Sequence, residues 1–471
     1  RAPRGPRLPA ASPSSITAAP PAGGRCASPA RLTVVDLVAS PSTASLRGDA
    51  HPAIDVWSYG GGVPGPTIRA VQGSRLRVNF RNRLPTETTV HWHGLRLPNA
   101  MDGVPHLTQP PVPPGGGFTY EFDLPDAGTY WYHSHLRSSE QVERGLYGAL
   151  VVEERRPPVV DRELTWVLDD WRLTREGRLA EGFAAPHDVA HAGRIGNLVT
   201  VNGRAPQDVR VRRGERIRLR LVNAANARIF GLQFDGHQPQ VIAIDGQPVA
   251  PHAPERGTVV LAPGMRTDLL IDAAGRPGDS HAVGDVFYPR AAYDLLRLVY
   301  EEAVLREPTS SAPRTLAANP VPEPDLASSQ SHELRFEGGM HGGLHRARLD
   351  GRTVEFMSLV RAGKAWAVNG VVADSHVHEP VLTFERGQSY RLVFVNDTRW
   401  HHPMHLHGHA FRVLSRNGRP TRHREWQDTV LMAPDERVEV AFVADNPGDW
   451  MLHCHILEHQ DGGMMAVVRV T

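Results

Sequence analysis

Four His-x-His pairs constrain this chain more than any other feature: His91/His93, His133/His135, His405/His407 and His453/His455. In a β-strand, residues i and i+2 point to the same side, so each pair can offer two imidazoles to one cavity. One pair alone would say little, because a solvated strand face also produces it. These four, however, keep the register of a repeat. Gly73 opens Ser-Arg-Leu-Arg-Val-Asn-Phe, with His91 and His93 at 18 and 20 residues beyond it. Gly387 opens Gln-Ser-Tyr-Arg-Leu-Val-Phe, with His405 and His407 at the same 18 and 20. Gly128 and Gly448 then precede His133 and His453 by five residues each. Gly214 opens a third such strand, followed at comparable distance only by His237. The pairs His376/His378 and His407/His409 fall outside the register. The chain therefore reads as three copies of one β unit, the outer two carrying the histidine pairs.

The rest of the sequence agrees with an all-β architecture. Short runs of alternating polar and apolar residues, such as Arg437 to Phe442, are separated by Gly, Pro, Asn and Asp, which is the pattern of β-sandwich strands. A length of 471 residues accommodates three domains at roughly 150 residues each. The expected organisation is a disordered Pro- and Ala-rich arm over 1–30 and a first sandwich over 31–155. A second sandwich without metal ligands follows over 156–305, then a linker over 306–331 and a third sandwich over 332–471. A net charge of +1 with no basic stripe excludes nucleic acid as a partner. No apolar run reaches the length of a membrane span. The basic residues are nearly all Arg, Lys364 being the only lysine. The chain opens on Arg1 rather than Met, so an upstream segment is expected to have been removed. Two cysteines cannot build a disulfide framework; Cys26, in the arm, is expected to be an idle thiol.

The other cysteine carries the chemistry. Cys454 is bracketed by His453 and His455 and followed by His459 and Met464, five and ten residues on. One thiolate, two imidazoles and a weak thioether form the ligand set of a blue-copper electron-transfer site. His402, three residues before His405, is the best second imidazole. A structural zinc site would bring more cysteines. In the first copy Thr88 stands where His402 stands, Ser134 where Cys454 stands and Ser139 where His459 stands. That copy supplies imidazoles without a blue site, so its use is to share a cluster with the third.

The segments His91-Trp-His-Gly94, Trp131-Tyr-His-Ser-His135, His402-Pro-Met-His-Leu-His-Gly408 and His453-Cys-His-Ile-Leu-Glu-His459 resemble the three-domain multicopper oxidases. These are the laccases, bacterial cuprous oxidases and bilirubin oxidases, and the resemblance runs from about residue 31 to the end of the chain. It implies three cupredoxin-like Greek-key domains and four copper ions. His402, Cys454, His459 and Met464 would hold type 1 copper, and His91 and His405 type 2. His93, His133, His135, His407, His453 and His455 would hold the type 3 pair. Electrons from a small-molecule donor would enter at the His459 edge and pass through Cys454 to its two histidine neighbours, for reduction of O2 to water. Asp102 matches the acid beside type 2 copper and is expected to carry protons. The family's bacterial members usually place Glu after the last type 1 histidine, where this chain has Gln460; Asp461 is the expected substitute. The resemblance further implies a periplasmic or secreted protein, expected to be a monomer.

Substrate choice is less constrained. Cuprous oxidases carry a Met-rich insert, whereas this chain has 9 Met and no cluster of them. The favoured reading is a laccase-like oxidase of phenols and aromatic amines, with cuprous oxidase second. The loop from Gly338 to His345 is expected to line the approach to type 1 copper. A non-catalytic copper-binding electron-transfer protein would need the blue site but not eight further imidazoles. A two-domain copper nitrite reductase would lack the His-Cys-His bracket.

Overall fold

The computed structural model describes residues 31–308, 315–374 and 379–471. Cys26, the arm and the His376/His378 pair lie outside them. The fold is all-β, three cupredoxin-like units each built around two sheets, the third adding a hairpin of Arg346–Leu349 and Arg352–Glu355. In every unit the first long strand pairs in parallel with the strand opened by the repeat glycine. The pairs are Leu32–Ala44 with Arg75–Asn82, Arg162–Trp171 with Arg216–Asn223, and Gln330–Gly338 with Ser389–Asp397. Gly73, Gly214 and Gly387 enter those strands at φ of +81°, +83° and +81°, a left-handed turn that glycine adopts without steric cost. The periodicity in the sequence is thus one turn used three times.

The inner sheets of the outer units have the same order. In the first, Gly65–Val71, Tyr147–Glu153, Gly128–His133 and His91–His93 lie side by side. In the third, the series is Pro380–Phe384, Met465–Val470, Gly448–Cys454, His402–Leu406 and Thr429–Met432. His91 pairs across the ladder with His133, and His405 with His453. Each unit has its own apolar core, built around Trp92 and Tyr120, around Leu219 and Phe230, and around Phe394 and Trp450.

From Thr315 the chain runs without helix or strand until Gln330, and the Asn319 side chain ties it down. That side chain donates to Ala127 O and Gln247 Oε1 and accepts from the Ala127 amide. Among the described residues no helix is long and apolar enough to cross a membrane.

Candidate metal centre

The two outer units bring their eight paired histidines into one buried cavity. His91 stacks on His407 at 4.0 Å between ring centroids, and His93 stacks on His405 at 3.8 Å. His135 faces both His407 and His453, and His133 faces His455. Three tight groups have donor atoms within 4.8 Å of one another: His91/His405/His407, His91/His93/His133 and His135/His407/His453.

Most of these rings are anchored through one nitrogen and leave the other bare. His91 Nδ1 donates to Asp102 O, His133 Nδ1 to Ser134 O, His405 Nδ1 to Asp428 O and His453 Nδ1 to Cys454 O, at 2.8–2.9 Å. His93 is turned the other way, with Nε2 held by Thr429 Oγ1 at 3.1 Å and Asp428 Oδ1 at 3.2 Å. The opposite nitrogens, His91 Nε2, His93 Nδ1, His133 Nε2, His135 Nε2 and His405 Nε2, are buried without a hydrogen-bond partner, as are both nitrogens of His455. His407 Nε2 meets only His453 Nε2, at 3.0 Å. Buried polar atoms left bare in such numbers need a partner, and lone pairs on neutral imidazoles suit copper. Burial lowers the basicity of His93, His133, His135, His407, His453 and His455 well below the ordinary imidazole value. The rings are therefore held in the form that binds metal. The residues fit copper.

Two carboxylates orient the cluster. Asp102, fully buried at the end of the short turn Asn99–Met101, accepts from His407 Nδ1 at 2.8 Å through Oδ2. Its Oδ1 lies 3.3 Å from His91 Nδ1. Asp428 was not singled out in the sequence. Burial alone would raise its carboxyl, but the Arg266 guanidinium, with His405, outweighs burial and holds it below the usual carboxylate range. Only position in the fold marks Asp428 and Thr429: the strand Thr429–Met432 pairs with His402–Leu406. Trp131, stacked on His133 at 4.2 Å, closes another side.

The second site sits at the end of the strand Gly448–Cys454. Cys454 Sγ is 3.5 Å from His402 Nδ1 and 3.7 Å from His459 Nδ1, and the two imidazole nitrogens are 3.1 Å apart. All three residues are fully buried. Met464 is buried beside them, its carbonyl accepting from the Cys454 amide at 3.1 Å. The outer nitrogens are anchored, His402 Nε2 on Thr398 Oγ1 and His459 Nε2 on His191 O. Burial pushes the Cys454 thiol up and the His459 imidazole down to about 3. Trp366, which no sequence motif marked, packs against His459 at 4.2 Å and His402 at 4.9 Å. The Gly338-to-His345 loop lies alongside, with the Met340 amide on Ala190 O and the His341 ring 6.3 Å from that of His191.

The corresponding place in the first unit is filled rather than open. The Ser134 amide donates to Leu146 O as the Cys454 amide does to Met464 O. Thr88 Oγ1 and Ser134 Oγ, 3.2 Å apart, both bond Gln141 Oε1. Ser139, matched to His459 by spacing, turns away, its hydroxyl and amide donating to Asp461 Oδ2 at 2.5 Å and 3.2 Å. Both units carry a short helix at this point, Ser138–Gln141 and Leu457–Asp461; in the first it is Gln141, not Ser139, whose side chain meets Thr88 and Ser134. Gln460 is buried with a bare Oε1, and burial raises the Asp461 carboxyl.

Known proteins agree with this arrangement. Three family models, each described as multicopper oxidase, match residues 42–157, 162–285 and 352–471. The multicopper oxidase MmcO of Mycobacterium tuberculosis is 31% identical, over 92% of this chain and 86% of that protein. Laccase-1 of Cryptococcus neoformans var. neoformans is 28% identical, over 86% of this chain and 76% of that protein. The crystal structure of the multi-copper oxidase from Pseudomonas thermotolerans superposes with a TM-score of 0.82 at 35% identity, covering 94% of this chain and 100% of that one. With three matched units, two outer histidine sets and one cysteine site between them, this chain belongs to the multicopper oxidase family, the copper-dependent oxidoreductases that use O2.

Proposed function

We propose that the chain is a laccase-like oxidase that takes single electrons from phenols or aromatic amines and reduces O2 to water at a trinuclear copper cluster. The observation that supports this most is the set of bare ring nitrogens lining one cavity, joined to the Cys454 site through the peptide bonds of Cys454 to His453 and His455. His402, Cys454, His459 and Met464 would hold type 1 copper, and His91 and His405 type 2. His93, His133, His135, His407, His453 and His455 would hold the type 3 pair, making four ions in all. Copper there would supply one-electron acceptance from the donor and four-electron delivery to O2.

The remaining work falls to the chain. Cys454 provides the shortest covalent connection between the two sites. Asp102, in contact with His407 and His91, would hold and pass protons. His459 is buried behind the His191 carbonyl, so donors would give up their electrons without touching the ring. The three units are proposed to span 31–155, 156–305 and 332–471, joined by the 306–331 linker. One chain supplies every ligand, consistent with a monomer. A periplasmic or secreted location follows from the family resemblance.

Cuprous oxidation is the second reading. Met340 and His341 place a soft and a borderline donor beside His191. Oxygen uptake with a phenol, an aromatic diamine and Cu(I) as separate donors tests the choice. Faster uptake on Cu(I) than on either aromatic donor would reverse the order. No uptake on any donor from protein fully loaded with copper would remove the oxidase reading.

A further inference from the structure

The middle unit contributes none of the expected copper ligands, yet one of its turns is pressed against the cluster. The turn joins the strands Val259–Leu261 and Arg266–Asp272. At its centre Gly264 has φ +84°, and a Cβ built there would lie 2.8 Å from His455 Cγ and Cδ2 and 3.1 Å from His93 Cε1. Only a backbone without a side chain fits so close. His455 needs this wall more than its neighbours do. Neither of its ring nitrogens meets a hydrogen-bond partner, so packing has to set its orientation.

Two residues on, Arg266 holds the opposite side. Its Nη1 and Nη2 donate to both oxygens of Asp428 at 2.8 Å and 2.6 Å, a fork that fixes the carboxylate plane. Asp428 in turn bonds His93 Nε2 and sits 3.3 Å from His405 Nδ1. Arg266 Nη1 also returns to Gly264 O at 3.0 Å, and Nε reaches Thr129 O, on the strand that carries His133, at 3.2 Å. Asp245, from the same unit, accepts from the amides of Arg266, Asp428 and Thr429. Gly94, directly after His93, leaves the room: a Cβ there would sit 2.2 Å from Arg266 Nη2 and 2.6 Å from Asp428 Oδ2.

We infer that this turn of the middle unit orients the cluster imidazoles, with Gly264 and Arg266 as positioning residues for His455, His93 and His405. The inference rests on the reading of the eight imidazoles as a copper cluster. It gives the ligand-free unit a task in the reaction: it locks His93 to present Nδ1 where its neighbours present Nε2, and it wedges the unanchored His455. Groups that orient metal-bound histidines are worth about 10–100-fold in metal affinity.

The test compares Gly264→Ala with Gly257→Ala, a control in the same unit at φ +71° with nothing within 4 Å of the added Cβ. Both proteins are loaded with copper, and copper content, blue absorption and the near-ultraviolet band of the coupled pair are measured. Gly264→Ala is expected to bind cluster copper about 10–100-fold more weakly and lose the near-ultraviolet band while staying blue. Gly257→Ala is expected to keep both bands. Equal copper content and equal near-ultraviolet bands in the two variants overturn the inference. Should Gly264→Ala not fold, Arg266→Lys decides, because it keeps the charge but not the fork; an unchanged near-ultraviolet band in that variant overturns the inference equally. A wild-type protein that takes up no cluster copper instead overturns the underlying reading.

Discussion

Asp102 Oδ2 accepts a hydrogen bond from His407 Nδ1 at 2.8 Å, joining a carboxylate of the first unit to an imidazole of the third. The same residue, through its backbone carbonyl, anchors His91. It therefore contacts two cluster rings, the position from which it is proposed to pass protons. Asp102→Asn keeps the shape and removes the acid. The expected result is a kcat lowered with every donor, by up to the 10²–10⁴-fold that general-acid help typically contributes, while anaerobic reduction of the blue site stays fast. A normal kcat per bound copper would leave Asp102 an orienting residue only.

Gln460, where the family resemblance implies Glu, is buried with a bare Oε1. Gln460→Glu is expected to leave turnover unchanged or raise it, most visibly at higher pH where protons are scarce. Slower turnover across the whole pH range would show that an acid at this position does not help to deliver protons.

Cys454 is the only cysteine among the described residues and lies within 3.7 Å of both His402 and His459. Cys454→Ser is expected to abolish the blue colour and leave most cluster copper bound, since no cluster ring is held by the Cys454 side chain. Blue colour surviving in this variant would end the type 1 assignment.

The metal-free protein should be sensitive to acid. Burial depresses the basicity of seven cluster imidazoles, and of His402 and His459, below the unfolded value. Below about pH 6.5 the unfolded chain then binds more protons than the folded one, so stability is full above that pH and falls beneath it. Each such histidine can contribute up to about 1.4 kcal/mol per pH unit. Denaturant midpoints of the metal-free protein at pH 7.5, 6.5 and 5.5 check this. A flat profile would mean the rings are not kept neutral.

Gln141 closes the first unit's counterpart of the cysteine site by accepting from Thr88 and Ser134. Gln141→Leu removes the acceptor that two buried hydroxyls share; they can still bond each other at 3.2 Å, so the cost is that of about one unpaired donor, about 1–3 kcal/mol. Thermal stability is expected to drop while the spectrum of both copper sites is unchanged. A lost near-ultraviolet band would instead tie Gln141 to the cluster through His133 and His135.

Much of this protein was legible in one dimension because its ligands come from short, regular strands. A His-x-His pair already determines that two imidazoles share a side, and the glycine-to-histidine spacing determines that the strands repeat. The bracket around Cys454 likewise puts the cysteine site next to two of the clustered histidines within three consecutive residues. Spacing alone did not show what fills the first unit's counterpart site: Ser139 bonds Asp461 of the third unit, and the longer Gln141 side chain reaches Thr88 and Ser134 instead. What only the tertiary structure decided is the layer behind the ligands. Asp428, Arg266, Gly264 and Trp366 reach the two sites from distant strands and from the unit without copper ligands. Their roles depend on how three sandwiches dock, with side chains meeting across hundreds of residues, and local periodicity carries no record of such contacts. Ligand identity is a local property of a strand; ligand orientation is set by whatever the fold packs against it.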